Sequence, residues 1–205
     1  MVGRPLGSGG QAKELTKEEI KRINLCLTGT SHEHRNRALF FLGLGSGMRI
    51  AEMCQLRISD VSRFDLKKEK IELYSSLVLE RHSTKSKKSR MVYLSKQACQ
   101  AVKDYLEFRQ AKDESSPLFP SQMNRKEALK ANTAILTLSK MFKTAGVRHA
   151  SSHSLRRSHA NALRRRGVDL KIIQEQLGHS SLATTERYFK VDPVETKKAV
   201  ENLKF

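Results

Sequence analysis

The segments GSGMRIAEM, HSLRRSHAN and LGHSSLATTERYF carry Arg49, His153, Arg156, His179 and Tyr188 in a chain of 205 residues. A phosphodiester under attack gathers charge on its non-bridging oxygens, and planar guanidinium groups bind such oxygens in bidentate fashion. Arg49 and Arg156 are therefore candidates for a phosphate clamp. A tyrosine hydroxyl, with a pKa of about 10, attacks phosphorus poorly unless a neighbour takes its proton. Imidazoles bind phosphate or move protons near neutral pH. Two arginines, two histidines and a tyrosine can cut a nucleic-acid backbone through a covalent enzyme intermediate, with neither metal nor nucleotide.

The elements that must position these groups are legible from caps and breakers. Residues 1–13 read as a mobile Gly/Ser-rich tail ahead of one folded unit, 14–205. Thr16 and Glu19 form a capping box, predicting a helix to about Leu27. A second helix is expected over Arg35–Leu44, broken by Gly43, Gly45 and Gly47, with a short third over Ile50–Leu56. Lys70–Tyr74, Leu77–Arg81 and Arg90–Leu94 are β-prone, the last two flanking a basic loop as a hairpin. Ser95 caps a helix to about Gln110, and Asn132–Ala145 is helical up to Gly146. The last third reads as helices over Ser154–Arg166, Asp169–Leu177 and Ser181–Phe189, with Pro193 opening a final one to Leu203. Tyr74, Tyr93 and Tyr105 read as core tyrosines. The expected class is mostly α with one small antiparallel sheet (α+β).

Charge indicates the partner. Lysines and arginines number 39 against 21 acidic residues, a net charge of +18. From Ala128 to Val168 there is no acidic residue among nine lysines and arginines, and residues 81–90 (RHSTKSKKSR) hold five more and no acid. Such distribution fits a polyanion. Arg81, Lys87, Lys88, Arg90, Arg148 and Arg157 are the candidate DNA contacts. No stretch approaches the roughly 20 apolar residues of a membrane span, and the N-terminus lacks the apolar core of a secretory signal. Cys26, Cys54 and Cys99 form no CxxC pair, which fits a reducing compartment. The expected location is the cytoplasm, on the nucleoid. The His32–His34 pair is read as incidental rather than as a metal site, and His82, His149 and His159 receive no role. No cofactor is expected.

Four motifs in order carry a family resemblance: Gly47-Met48-Arg49-Ile50-Ala51-Glu52, the loop Thr84-Lys85-Ser86-Lys87-Lys88-Ser89-Arg90, His153-Ser154-Leu155-Arg156, and Leu177-Gly178-His179 with Tyr188 nine residues later. From about Glu14 to Val191 the chain resembles the catalytic domain of the tyrosine recombinases, the phage-integrase family. The resemblance implies that Tyr188 is the nucleophile, that Arg49 and Arg156 clamp the scissile phosphate, and that His179 hydrogen-bonds it. By the same analogy His153 is the general base, and Lys85 gives the leaving 5′ oxygen its proton, although Lys87 and Lys88 share its turn. Glu52 would buttress the arginines. The implied reaction forms a 3′-phosphotyrosyl bond at specific double-stranded sites, which a 5′-hydroxyl of a partner strand then resolves. Integration, excision, inversion and dimer resolution all use it, with four protomers passing through a Holliday junction.

Two features depart from the family pattern. Many relatives carry a further N-terminal DNA-clamping domain, so the chain is expected either to be a single-domain member, similar to the short fimbrial-switch invertases, or to be part of a longer protein, with the first favoured. A lone domain would call for accessory DNA-bending proteins. Arg157 stands where relatives often have histidine. The amphipathic segment 194–205 is expected to dock on a neighbouring protomer, giving a homotetramer on DNA, rather than fold onto its own core. Rival readings are a type IB topoisomerase, which generally lacks a histidine at the His153 position, a non-catalytic DNA-binding regulator, which would have lost a site group, and an RNA-binding protein, which would need aromatic stacking motifs.

Overall fold

The computed structural model describes residues 12–65, 70–80, 89–111, 113–186 and 201. Lys85, Arg81, Lys87, Lys88, Tyr188 and most of the C-terminal segment lie outside the described residues.

The caps act as read. Helix α1 (Lys17–Leu27) opens on the box, with Thr16 Oγ1 accepting from the Glu19 amide at 3.1 Å and Glu19 Oε2 accepting from the Thr16 amide at 3.0 Å. Helix α2 (Glu33–Ser46) is apolar on nearly every side, with Ala38 to Gly43 all buried, as a core helix must be. Gly43 and Gly45 do not break it. They lie inside α2 as points of close approach: a Cβ on Gly43 would meet Leu155 Cδ1 at 2.7 Å, and one on Gly45 the Ala98 Cβ at 2.7 Å. Only Gly47 ends the helix, at φ 68, in the left-handed region that side chains resist. The chain then turns straight into α3 (Ile50–Gln55) and the four-residue α4 (Ile58–Val61).

Two antiparallel hairpins follow where one small sheet was expected. Strand β1 (Ser62–Asp65) pairs with β2 (Lys70–Leu73), and β3 (Ser76–Leu79) with β4 (Arg90–Tyr93). β1 escaped the sequence reading because SRFD has no apolar alternation; its register is supported across the strands by an Arg63–Glu72 ion pair at 2.9 Å. In the second hairpin Leu77 and Val92 face each other and are both buried, which fixes the face turned to the core. Tyr93, on the opposite face, is 65% exposed and Tyr74 37%, so of the three tyrosines read as core only Tyr105 is buried.

Helices α5 (Lys96–Arg109) and α7 (Ser152–Arg164) pack on α2, and α6 (Ala131–Thr144) meets α1 and α3. Helix α8 (Leu170–Leu177), capped by Asp169, ends at Gly178 with φ 66, and α9 (Leu182–Glu186) follows. A small second core of Ala160, Ile173 and Leu177 joins α7 to α8. Gln176 ties this end to the hairpin: its amide donates to the Tyr93 and Ser46 carbonyls, both at 2.9 Å, and its oxygen accepts from the Tyr93 amide at 3.0 Å. Residues 12 and 13, placed by the sequence reading in the tail, are held to the body. The Ala12 carbonyl accepts from Arg157 and Lys13 pairs with Glu19. Among the described residues no helix is long and apolar enough to cross a membrane.

Candidate active site

The left-handed ends of α2 and α8 bring residues 47–49 and 177–179 together. Arg156, one turn into α7, reaches both. Its Nη1 donates to the Gly47 carbonyl at 2.8 Å and its Nη2 to the Leu177 carbonyl at 2.7 Å. The side chain is buried, at 3% exposure, and two charge-assisted bonds to fixed backbone set the plane of its fork.

Arg49 enters from the turn after Gly47. Glu52, one turn into α3, accepts from the Arg49 amide at 2.8 Å through Oε2 and from Nη1 at 2.8 Å through Oε1. Arg49 Nη2 also reaches the Gly178 carbonyl at 3.3 Å. Glu52 is 1% exposed and carries a second guanidinium, Arg90, whose Nη1 and Nη2 donate to its two oxygens at 3.1 and 2.8 Å. Burial pushes the Glu52 carboxyl up, but the bonds and charge of Arg90, then those of Arg49, outweigh it and hold the group below the usual carboxylate range.

His179 follows the Gly178 turn. Its Nδ1 is hydrogen-bonded to Thr185 Oγ1 of α9 at 2.7 Å, and its amide donates to the Gln174 carbonyl. Burial pushes its pKa down to about 3, and the charges of Arg156, Arg49 and Arg90 push in the same direction. His179 is therefore a neutral hydrogen-bonding group at physiological pH. His159, one turn after Arg156, is likewise neutral: burial takes it to about 4 against the pull of the Leu44 carbonyl bonded to its Nδ1, with Arg156 adding to the depression.

A pH prediction follows from these two rings. Both folded-state values lie below the ordinary histidine range, so the unfolded chain takes up protons that the folded chain refuses. The stability they contribute is complete above pH ~6.5 and lost as pH falls towards 4 and 3, at about 1.4 kcal/mol per pH unit for each proton. Urea unfolding at pH 7 and pH 5 is expected to show a clearly lower midpoint at pH 5. Equal midpoints would contradict neutral, buried rings.

The structure thus gathers Arg49, Glu52, Arg156 and His179; His153 is exposed on the first turn of α7, three residues before Arg156. Arg148 is exposed beyond the end of α6. Two residues read as DNA contacts are engaged elsewhere. Arg157 Nη1 donates to the Ala12 carbonyl at 2.6 Å. Arg90, 9% exposed, has both Nη atoms on Glu52, because a buried carboxylate demands a matching cation. Thr185 and Gln176 were missed: a hydroxyl or amide that orients a neighbour through a bond distant in sequence leaves no local pattern. Of the other histidines, His34 stacks on Phe108 at 4.2 Å and His32 meets Gln122.

Several known proteins are similar to this chain over most of its length. The tyrosine recombinase XerA of Pyrococcus horikoshii is 33% identical over 193 residues, covering 94% of this chain and 61% of that protein. XerA of Thermococcus onnurineus is 36% identical over 190 residues, covering 92% of this chain and 62% of its own length. The chain therefore spans about three fifths of these relatives. A crystal structure of XerA recombinase superposes with a TM-score of 0.71 at 26% identity, over 100% of this chain and 68% of that one. XerH site-specific recombinase bound to its difH substrate, in a pre-cleavage complex, gives 0.68 at 25% identity, over 94% of this chain and 55% of that one. The model of the phage integrase family matches residues 13–195, nearly the whole folded chain. The protein belongs to the phage integrase family.

Proposed function

We propose that the protein is a site-specific DNA recombinase that breaks and rejoins strands through a covalent tyrosine intermediate. The observation that carries this reading is electrostatic. Two guanidinium groups, Arg49 and Arg90, share one buried carboxylate, Glu52, and a third, Arg156, lies with a neutral His179 beside them. A half-buried site with that excess of positive charge is complementary to a phosphodiester, and more so to the extra charge of its pentavalent transition state. Tyr188 Oη attacks phosphorus and forms the 3′-phosphotyrosyl bond while the bond from phosphorus to the 5′ oxygen breaks. His153 takes the tyrosine proton, and Lys85 supplies one to the leaving oxygen. A 5′-hydroxyl of the partner strand then attacks the phosphotyrosine and returns the Tyr188 hydroxyl. Each step exchanges one phosphoester for another, so bond energy is conserved and no nucleotide is consumed.

The net charge of +18 supports double-stranded DNA as the partner, as does the DNA-bound state of XerH. Four protomers, coupled through residues 194–205 and helped by DNA-bending proteins, carry out two rounds of exchange on the nucleoid in the cytoplasm. The test is a supercoiled plasmid holding two copies of a site taken from DNA flanking the gene. Recombination predicts rearranged circles that require both copies. Relaxation of any supercoiled plasmid, with no rearrangement, would instead make the protein a topoisomerase.

A further inference from the structure

We propose that Arg90 is a positioning residue of this reaction, fixing the arginine clamp and His179. The inference rests on the recombinase reading above. Arg90 opens β4, paired with Leu79 of β3. Its side chain makes two contacts there. The fork holds both oxygens of Glu52, the carboxylate that also grips Arg49. The arm lies on Gly178, so closely that a Cβ there would meet Arg90 Cδ and Nε at 2.7 Å. Gly178 in turn offers its carbonyl to Arg49 and leads directly into His179. One side chain therefore touches the supports of two groups, Arg49 and His179, assigned to the phosphate.

The geometry argues against a direct DNA contact. The Arg90 side chain is 9% exposed, and its Nε is buried without a hydrogen-bond partner among the described residues. An orphaned buried donor is unfavourable, so the bidentate grip on Glu52 and the packing on Gly178 must outweigh it. Lysine cannot reproduce this arrangement: a single ammonium neither bridges two carboxylate oxygens in plane nor fills the flat space over Gly178. Glu52 would then settle into a different orientation and carry Arg49 with it.

The experiment compares wild type, Arg90→Lys and Arg90→Met in single-turnover formation of the covalent adduct, on nicked duplexes bearing a site that wild type cleaves. Rates are taken at saturating protein, and half-saturating concentrations over a range of salt. Misplacement of a catalytic group by about 1 Å costs on the order of 100-fold. Arg90→Met is expected to lose about that much at saturation and Arg90→Lys less, with half-saturation and salt dependence like wild type. Arg90→Lys keeps a cation on Glu52, so it decides the matter if the methionine variant does not fold. Wild-type rates in Arg90→Lys overturn the inference. So does weaker binding with a salt slope reduced by about one and an unchanged saturating rate, the signature of a lost phosphate contact. A wild-type protein that forms no adduct on any duplex overturns the recombinase reading, and this inference with it.

Discussion

Arg156→Lys is expected to lower the rate of adduct formation by about 10²–10³-fold, the loss that follows when one preorganised donor is removed from a developing oxyanion. The physical reason lies in how the residue is held. Two of its N–H groups are committed to the Gly47 and Leu177 carbonyls, at 2.8 and 2.7 Å, so the fork has one orientation and needs no reorganisation when charge builds on phosphorus. A lysine keeps the charge but loses the fork, and it cannot hold both carbonyls while addressing a phosphate. Those carbonyls close the two turns that deliver Arg49 and His179, so Arg156→Ala adds a structural effect. Each buried acceptor left without its donor costs about 1–3 kcal/mol. Rapid-quench kinetics on a nicked duplex, with urea unfolding in parallel, separates the two effects. A lysine variant with a wild-type rate would mean that charge alone, not geometry, is what Arg156 supplies.

Glu52→Ala is expected to cost about 3–5 kcal/mol of folding stability, the effect of removing one partner from a buried ion pair. Glu52 is 1% exposed and is the carboxylate between Arg49 and Arg90, so its loss leaves two close guanidiniums to repel each other. Glu52→Gln keeps the shape and the hydrogen-bond acceptor but not the charge, and falls in between. A pH signature accompanies this. The folded carboxyl titrates below the usual carboxylate range, so the stability it contributes is fully present above pH ~4.3 and lost as pH falls through its folded value. Wild type is expected to lose stability on acidification below pH ~4 more steeply than Glu52→Gln. Parallel acid limbs for the two proteins would show that Glu52 is not a paired, buried anion.

How much of this was legible beforehand depends on how local the signal is. Thr16–Glu19, Ser95, Asp169 and Gly178 announced helix ends correctly, because a cap satisfies backbone groups within three or four residues of itself. Gly43 and Gly45 misled the reading. A glycine demanded by a neighbouring helix looks, in one dimension, like a glycine demanded by a turn, and only the approach of Leu155 and Ala98 tells them apart. Strand β1 was invisible for a similar reason: its pairing with β2, not its own composition, makes it a strand. In the site, the order of Arg49, Arg156 and His179 was readable, as was the one-turn spacing of Arg49 and Glu52. The second guanidinium on Glu52 was not, since Arg90 lies 38 residues further along and stood among a run of cations with identical sequence credentials.

The expected product of cleavage is Tyr188 joined to a DNA 3′ phosphate. The most direct measurement traps the adduct on a duplex nicked beside the cleavage site, digests it with protease, and identifies the modified peptide and nucleotide end by mass. That linkage predicts a peptide containing Tyr188 bound to a 3′ phosphate, a free 5′-hydroxyl on the released strand, and no adduct from Tyr188→Phe. An adduct that persists in Tyr188→Phe, or one linked through a 5′ phosphate, would contradict it.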